Sequence, residues 1–237
     1  MNKKKWIYLA LICIIIIPVL FFYNAFNGNP VSKLGSNSVL KKHLEKKYPN
    51  KEFHINDGFY NFKIGGYSYE VIQIGNEKEY EFEVTGLFMP TVSYDGIYYD
   101  HLDEPLIEKW GKEASEEMVN LLKKDVPELL NIDVQVEVLK GKYDTSTQWN
   151  KNMKLEKPMY IHMTTDAAGK TKKDIFETMK KIQKRLNDND YTYDTVTINS
   201  NVQDKEYTDK DEFGYVKFSG SFTKEEKIKL NDIEQFE

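Results

Sequence analysis

Hydrophobic and polar positions fall into three regimes along the chain, and the first lies at the N-terminus. From Trp6 to Tyr23 it reads WIYLALICIIIIPVLFFY, with no charge and one helix breaker, Pro18. At 1.5 Å per residue a helix over this stretch is roughly 27 Å long, close to the ~30 Å hydrocarbon core of a bilayer. The pattern predicts a membrane-spanning helix. A cleaved signal would have a shorter apolar core and small residues at its cut site, whereas Tyr23, Asn24, Ala25 and Phe26 follow here. Lipidation of Cys13 would need a small residue before it, and Ile12 is bulky. A retained anchor over residues 1–26 is the favoured reading, with Cys13 as a small apolar residue inside it.

The second regime begins after NGNPVSK, which reads as a juxtamembrane linker over 27–35 because Gly28 and Pro30 interrupt a short polar run. Ser36 or Ser38 can cap a helix whose stripe is Val39, Leu40, Leu44 and Tyr48, stopped by Pro49. The period then becomes two. Phe53 and Ile55, then Tyr60, Phe62 and Ile64, then Tyr67, Tyr69 and Val71 each alternate with polar residues, with a turn at Gly65-Gly66. In Glu79–Thr85, Tyr80, Phe82 and Val84 face one way and Glu79, Glu81 and Glu83 the other, the mark of a half-buried antiparallel strand. Gly75-Asn76 supplies its hairpin. A helix followed by three or four strands gives a first α+β domain over 36–100, and a loop over 89–103, MPTVSYDGIYYDHLD, leads out of it.

The third regime mixes both periods. Asp103 can cap a helix running to about Asp125, with Glu104 and Pro105 in its first turn and Leu106, Trp110, Ala114 and Met118 as its stripe. Strict alternation returns over Asn131–Lys140, with Ile132, Val134, Val136 and Val138 inward. A polar connection over 141–157 carries an exposed-looking Trp149, and a strand over Pro158–Thr164 follows. Thr171 or its predecessor opens a second helix with Ile175, Met179, Ile182 and Leu186 at i, i+4, i+7 and i+11. Strands at 191–202 and 213–222, joined by an acidic turn, complete a second α+β domain over 101–224, and a charged end over 225–237 is expected to fray. The fold class is α+β: a transmembrane helix, then two small domains, each of helices on one face of a mostly antiparallel sheet.

Charge adds direction. Lys3, Lys4 and Lys5 precede the apolar helix, the next basic residue is Lys33, and all 38 acidic residues lie beyond Phe26. Basic flanks stay cytoplasmic, so the N-terminus is expected inside and the domains outside the cytoplasmic membrane. An acidic exterior argues against nucleic acid or anionic lipid as its partner, since both call for a basic surface, and no nucleic-acid partner is expected. Because Cys13 is the one cysteine, disulfides and thiolate metal sites are excluded from the exterior, which suits a bacterial envelope.

Candidate chemistry is sparse. His43, His54, His101 and His162 stand apart, without the helical spacing of a zinc site. Asp100, His101 and Asp103 form the nearest cluster and read as caps for the following helix. There is no G-x-S-x-G elbow, and the acidic runs at 188–190 and 204–212 lack the glycine spacing of a calcium loop. The sequence therefore assigns no catalytic residue, no metal ligand and no cofactor. Tyr98, Tyr99 and Trp149, amphipathic aromatics in expected loops, are the candidate partner-binding residues.

The run from Ala25 to Val71, with AFNGNPVSK and then YPNKEFHINDGFYNFKIGGYSYEV, resembles the N-terminal part of the YfjL-like group of bacterial membrane-anchored proteins. That resemblance implies an anchored exterior protein of two small α+β domains and carries no activity with it. The helix-then-sheet order is also similar to cystatin-like and PepSY-like domains, a likeness of fold alone. The sequence-level expectation is a binding or sensing module anchored through residues 6–23, with an envelope protein or peptide as partner. The alternative is an envelope hydrolase or a peptidase-inhibitor-like domain.

Overall fold

In the computed structural model, residues 3–86, 89–202 and 214–236 are described. The acidic turn expected between the last two strands falls largely on 203–213, outside the described residues. Contacts divide the chain into two compact units, Met1–His101 and Leu102–Glu237.

The first unit opens with α1 (Lys3–Asn27), continuous through Pro18. From Leu11 to Tyr23 its apolar side chains are exposed. Gly28, at φ 66°, turns the chain, and a Cβ there would stand 2.5 Å from the Tyr67 hydroxyl. Helix α2 (Pro30–Lys47) begins at once. Asn29 Oδ1 accepts from the Ser32 N–H at 2.9 Å, and Ser32 Oγ accepts from the Asn29 N–H at 3.3 Å. The linker expected over 27–35 is thus reduced to Gly28 and Asn29. Asn-Pro supplies a cap and a proline preset for the first helical turn, so the dipeptide starts a helix rather than a loop. Ser36 and Ser38, expected as caps, lie inside α2.

Five strands follow: β1 (Phe53–Ile55), β2 (Phe59–Asn61), β3 (Gly66–Gln73), β4 (Lys78–Thr85) and β5 (Thr91–Asp95). Their order is β1-β3-β4-β5, and β2 shares the β1 edge by pairing with the start of β3. Leu40 and Leu44 of α2 pack on Tyr69, Val71, Phe82 and Val84, the inward set that alternation picks out. Full burial of Phe82 contributes about 2–3 kcal/mol. The loop expected over 89–103 instead contains β5 and a short helix, α3 (Gly96–Asp100), because Asp95 caps α3 and its neighbours pair with β4.

The second unit comprises α4 (Glu104–Leu122), β6 (Leu129–Gln135), β7 (Met159–Asp166), α5 (Lys172–Asp188), β8 (Tyr193–Val202), β9 (Tyr215–Phe222) and β10 (Ile233–Gln235). Sheet order is β10-β9-β8-β7-β6, antiparallel except for the parallel pair β7–β8, which α5 joins as a crossover. Asp103 caps α4 and Thr171 caps α5, both as the sequence predicts. Trp110, Met118, Ile175, Ile182 and the inward residues of β6, β7 and β8 form one core, so both helices cover one face.

Three boundaries differ from expectation. Helix α4 ends at Leu122 and passes into a turn before Pro127, and β6 ends at Gln135 although alternation continues. Val136 and Val138 stay buried without ladder pairing in a named strand, which is why the pattern outruns the strand. The end expected to fray adds β10 to β9, after a short 3-10 turn at Leu230–Asp232. Ile228 and Ile233 are buried there, and two apolar anchors outweigh a charged composition.

Candidate functional site

The sequence-predicted tyrosines lead to a buried carboxylate. Asp95 is 6% exposed at the end of β5. Its Oδ2 accepts from Lys47 Nζ at 2.8 Å and pairs with His43 Nε2 at 2.8 Å, while Tyr48 Oη donates to both oxygens at 2.9 and 3.0 Å. The Tyr98 N–H donates to Oδ1 at 3.0 Å. His43 and Lys47 sit at i and i+4, hence on one face of α2, with Tyr48 at its end.

Burial alone would raise the Asp95 carboxyl, but the hydrogen bonds from His43, Lys47 and the Tyr98 backbone hold it well below the usual carboxylate range. Burial, then the nearby Asp95 charge, pushes the Tyr48 hydroxyl far above its ordinary value. Asp95 is therefore a fixed anion that cannot serve as a proton donor near neutrality. It orients His43 as a carboxylate orients a catalytic base. Among the described residues, however, no hydroxyl or thiol nucleophile is hydrogen-bonded to that imidazole. The cluster clasps the end of α2 to the start of α3.

Tyr98 and Tyr99 consequently lie on α3 rather than in a loop. The Lys47 ammonium stands 4.3 Å from the Tyr98 ring centre, and Tyr99 stacks on Tyr94 at 4.8 Å with 7° between ring planes. Trp149 belongs to the second unit and is half-buried, not exposed. Its backbone N–H donates to Glu113 at 2.7 Å, its indole N–H donates to Glu117 at 3.0 Å, and its ring meets Trp110 edge-on at 6.2 Å. Glu117 also accepts from the Tyr191 hydroxyl. Sequence reasoning missed Glu113 and Glu117. They lie at i, i+4 on α4, which was the available signal, but their partners are 32 or more residues away.

The other histidines are separate. His101 follows α3 with Nδ1 2.6 Å from the Ile97 carbonyl oxygen, His162 faces Asn199 across β7–β8 at 3.4 Å, and His54 is exposed on β1. Asp103 caps α4, whereas Asp100 pairs with Lys78 at 2.7 Å. Among the described residues no group of three or more His, Cys, Asp or Glu is placed to hold a metal ion.

A groove of a different kind lies along β6. This strand is outermost in its sheet among the described residues, and a groove of about 940 Å³ runs between it and α4. Glu108, Lys112 and Glu116 line the helix side, and Asn131 to Gln135, including Asp133, line the strand side. Ser115 Oγ accepts from the Val134 N–H at 3.1 Å, so α4 helps to satisfy the outer edge of the strand. Carboxylates predominate among its charged side chains.

Comparison with known proteins follows the same division of the chain. Residues 3–96 match the family described as YfjL-like, N-terminal domain, and residues 113–234 match the one described as YfjL-like C-terminal domain. The chain is 30% identical over 220 residues to "Uncharacterized protein YfjL" of Bacillus subtilis (strain 168), covering 91% of each. Among solved structures, a DUF5037 family protein from Ruminococcus gnavus is 12% identical, with 72% of this chain and 76% of that one covered and a TM-score of 0.22, below the level at which a shared fold follows.

Proposed function

The chain belongs to the YfjL-like family, and from that premise we propose that it is a single-pass protein of the cytoplasmic membrane whose two α+β domains stand on the outer face as a binding or sensing module. Helix α1 supports the placement. Its apolar side chains from Leu11 to Tyr23 are between 47% and 68% exposed, a continuous greasy cylinder that water would not tolerate. Lys3, Lys4 and Lys5 before it support an N-terminus on the cytoplasmic side.

The observation that carries the binding reading is the groove beside β6. An extended segment of an envelope protein or peptide lies in that groove, its basic side chains meeting Glu108, Glu116 and Asp133. Tyr98 and Tyr99 in the first unit and Trp149 in the second stand as separate candidate contacts, each within its own unit.

Two measurements on the full chain test this. With Cys13→Ser and Asn76→Cys, a membrane-impermeant maleimide labels the new thiol in intact cells; labelling that requires lysis overturns the placement. A photocrosslinking residue at Asp133 yields an adduct with another envelope protein in intact cells, and Glu108→Lys with Glu116→Lys lowers its yield about tenfold. No adduct, or an adduct indifferent to charge reversal, overturns the binding site.

A further inference from the structure

A second groove, of about 640 Å³, lies in the first unit where α1 meets the sheet. Phe21 and Ala25 of α1 form one wall, Val31 and Gly35 of α2 another, and Tyr60 and Val84 the floor. No charged residue lines it. Three of its hydroxyls are engaged within the protein: Tyr67 Oη donates to the Asn29 carbonyl oxygen at 2.9 Å and lies 2.7 Å from Ser32 Oγ, and Ser36 Oγ donates to the Lys33 carbonyl oxygen at 2.9 Å. The walls are kept open at Gly35 and Gly65, where a Cβ would meet nothing within 4 Å.

Val31, one of its lining residues, is 80% exposed, and Phe62, another, stands with its ring centre 5.8 Å from that of Phe26 on α1. One wall is the last turns of the helix read as the membrane anchor, so the bare surface of α1 leads directly into the groove. A volume of this size suits a small apolar ligand. Aromatic rings at its mouth suit the membrane–water interface.

We propose that this groove takes an acyl chain of a bilayer lipid, drawn from the outer leaflet along α1. This rests on the reading of α1 as membrane-spanning. The chain leaves the leaflet sideways, lies between α1 and α2, and reaches Tyr60 and Val84, which no lipid tail in an undisturbed bilayer would touch.

The test uses the full chain in phosphatidylglycerol vesicles doped with a phosphatidylglycerol carrying a diazirine near the end of one acyl chain. After irradiation, adducts are mapped by mass spectrometry. Adducts are expected both along Leu11–Phe22 and on Tyr60, Tyr67 or Val84. Gly35→Trp, which fills the groove from an open position, lowers the sheet adducts about tenfold and leaves those on α1 unchanged, whereas Gly35→Ala retains both. Circular dichroism of the Gly35→Trp protein confirms its fold. Adducts on α1 alone, or sheet adducts that survive Gly35→Trp, overturn the acyl site while sparing the anchor. Absence of adducts on α1 overturns the membrane reading itself.

Discussion

Gly111 on α4 presses against Val134 on β6: a Cβ built on the glycine would stand 2.7 Å from the Val134 carbonyl oxygen. Real Cβ atoms do not come so near, so helix and strand must separate if the position gains a side chain. Gly111→Ala is expected to cost about 1–3 kcal/mol, outweighing the ~1 kcal/mol that alanine adds to a helix interior. Gly35→Ala on α2, with open space at its Cβ, is expected to stabilise by about 0.5–1 kcal/mol. Thermal unfolding of the full chain in detergent gives both signs.

Asp95 makes the first unit sensitive to acid. Its folded pKa lies below the unfolded value of about 3.9, so the stability it contributes is complete above about pH 5 and is lost as the pH falls through about 4 and lower. Asp95→Asn is expected to cost about 2–3 kcal/mol at neutral pH, a figure reduced because His43 and Lys47 are partly solvated. The same variant flattens the acid limb of the stability profile. An unchanged limb in unfolding curves taken from pH 7 downwards would show that Asp95 is not its source.

Tyrosines set the alkaline limit. Burial pushes Tyr193 up to about 12, and burial followed by Glu117 raises Tyr191 still further. With folded values above the unfolded value of about 10, their contribution is intact below pH 10 and disappears as the pH climbs through the folded values. Tyrosinate absorbance of the buried set is expected to appear together with loss of circular dichroism. Tyr193→Phe, which removes a 2.8 Å hydrogen bond to Asn187, costs about 1 kcal/mol.

The C-terminal strand closes the second core. Ile233 is 1% exposed on β10, and Ile233→Ala is expected to cost about 2–5 kcal/mol. Removing residues 225–237 takes Ile228 away as well and opens the β9 edge, so the truncated chain should be cut by protease faster than the full one. Equal resistance would mean that β10 contributes nothing to the sheet.

Much of the architecture was legible from periodicity. Glu79–Thr85 and the stripe from Ile175 to Leu186 bury the residues their spacing selects, because burial on one face imposes a period that propensity cannot disguise. Local signals with two meanings were harder: Asn29-Pro30 reads as turn or helix start, and the capping bonds decide it. The Asp95 cluster was invisible, since His43 and Lys47 meet Asp95 only through the way α2 lies across β5. Trp149 looked exposed because its loop is polar, while its indole partner, Glu117, sits on a helix 32 positions earlier. The groove beside β6 requires knowing which strand ends the sheet, a fact of topology that no stretch of residues carries.

The brevity of the joint between α1 and α2 sets how far the rest of the first unit can travel relative to α1. Gly28 and Asn29 together offer at most about 7 Å of slack, and Tyr67 holds even that by bonding the Asn29 backbone. If α1 spans a bilayer as proposed, the first domain is less a buoy on a rope than a fitting bolted to the lipid surface, and a tilt of the helix would be delivered to the sheet as a rotation.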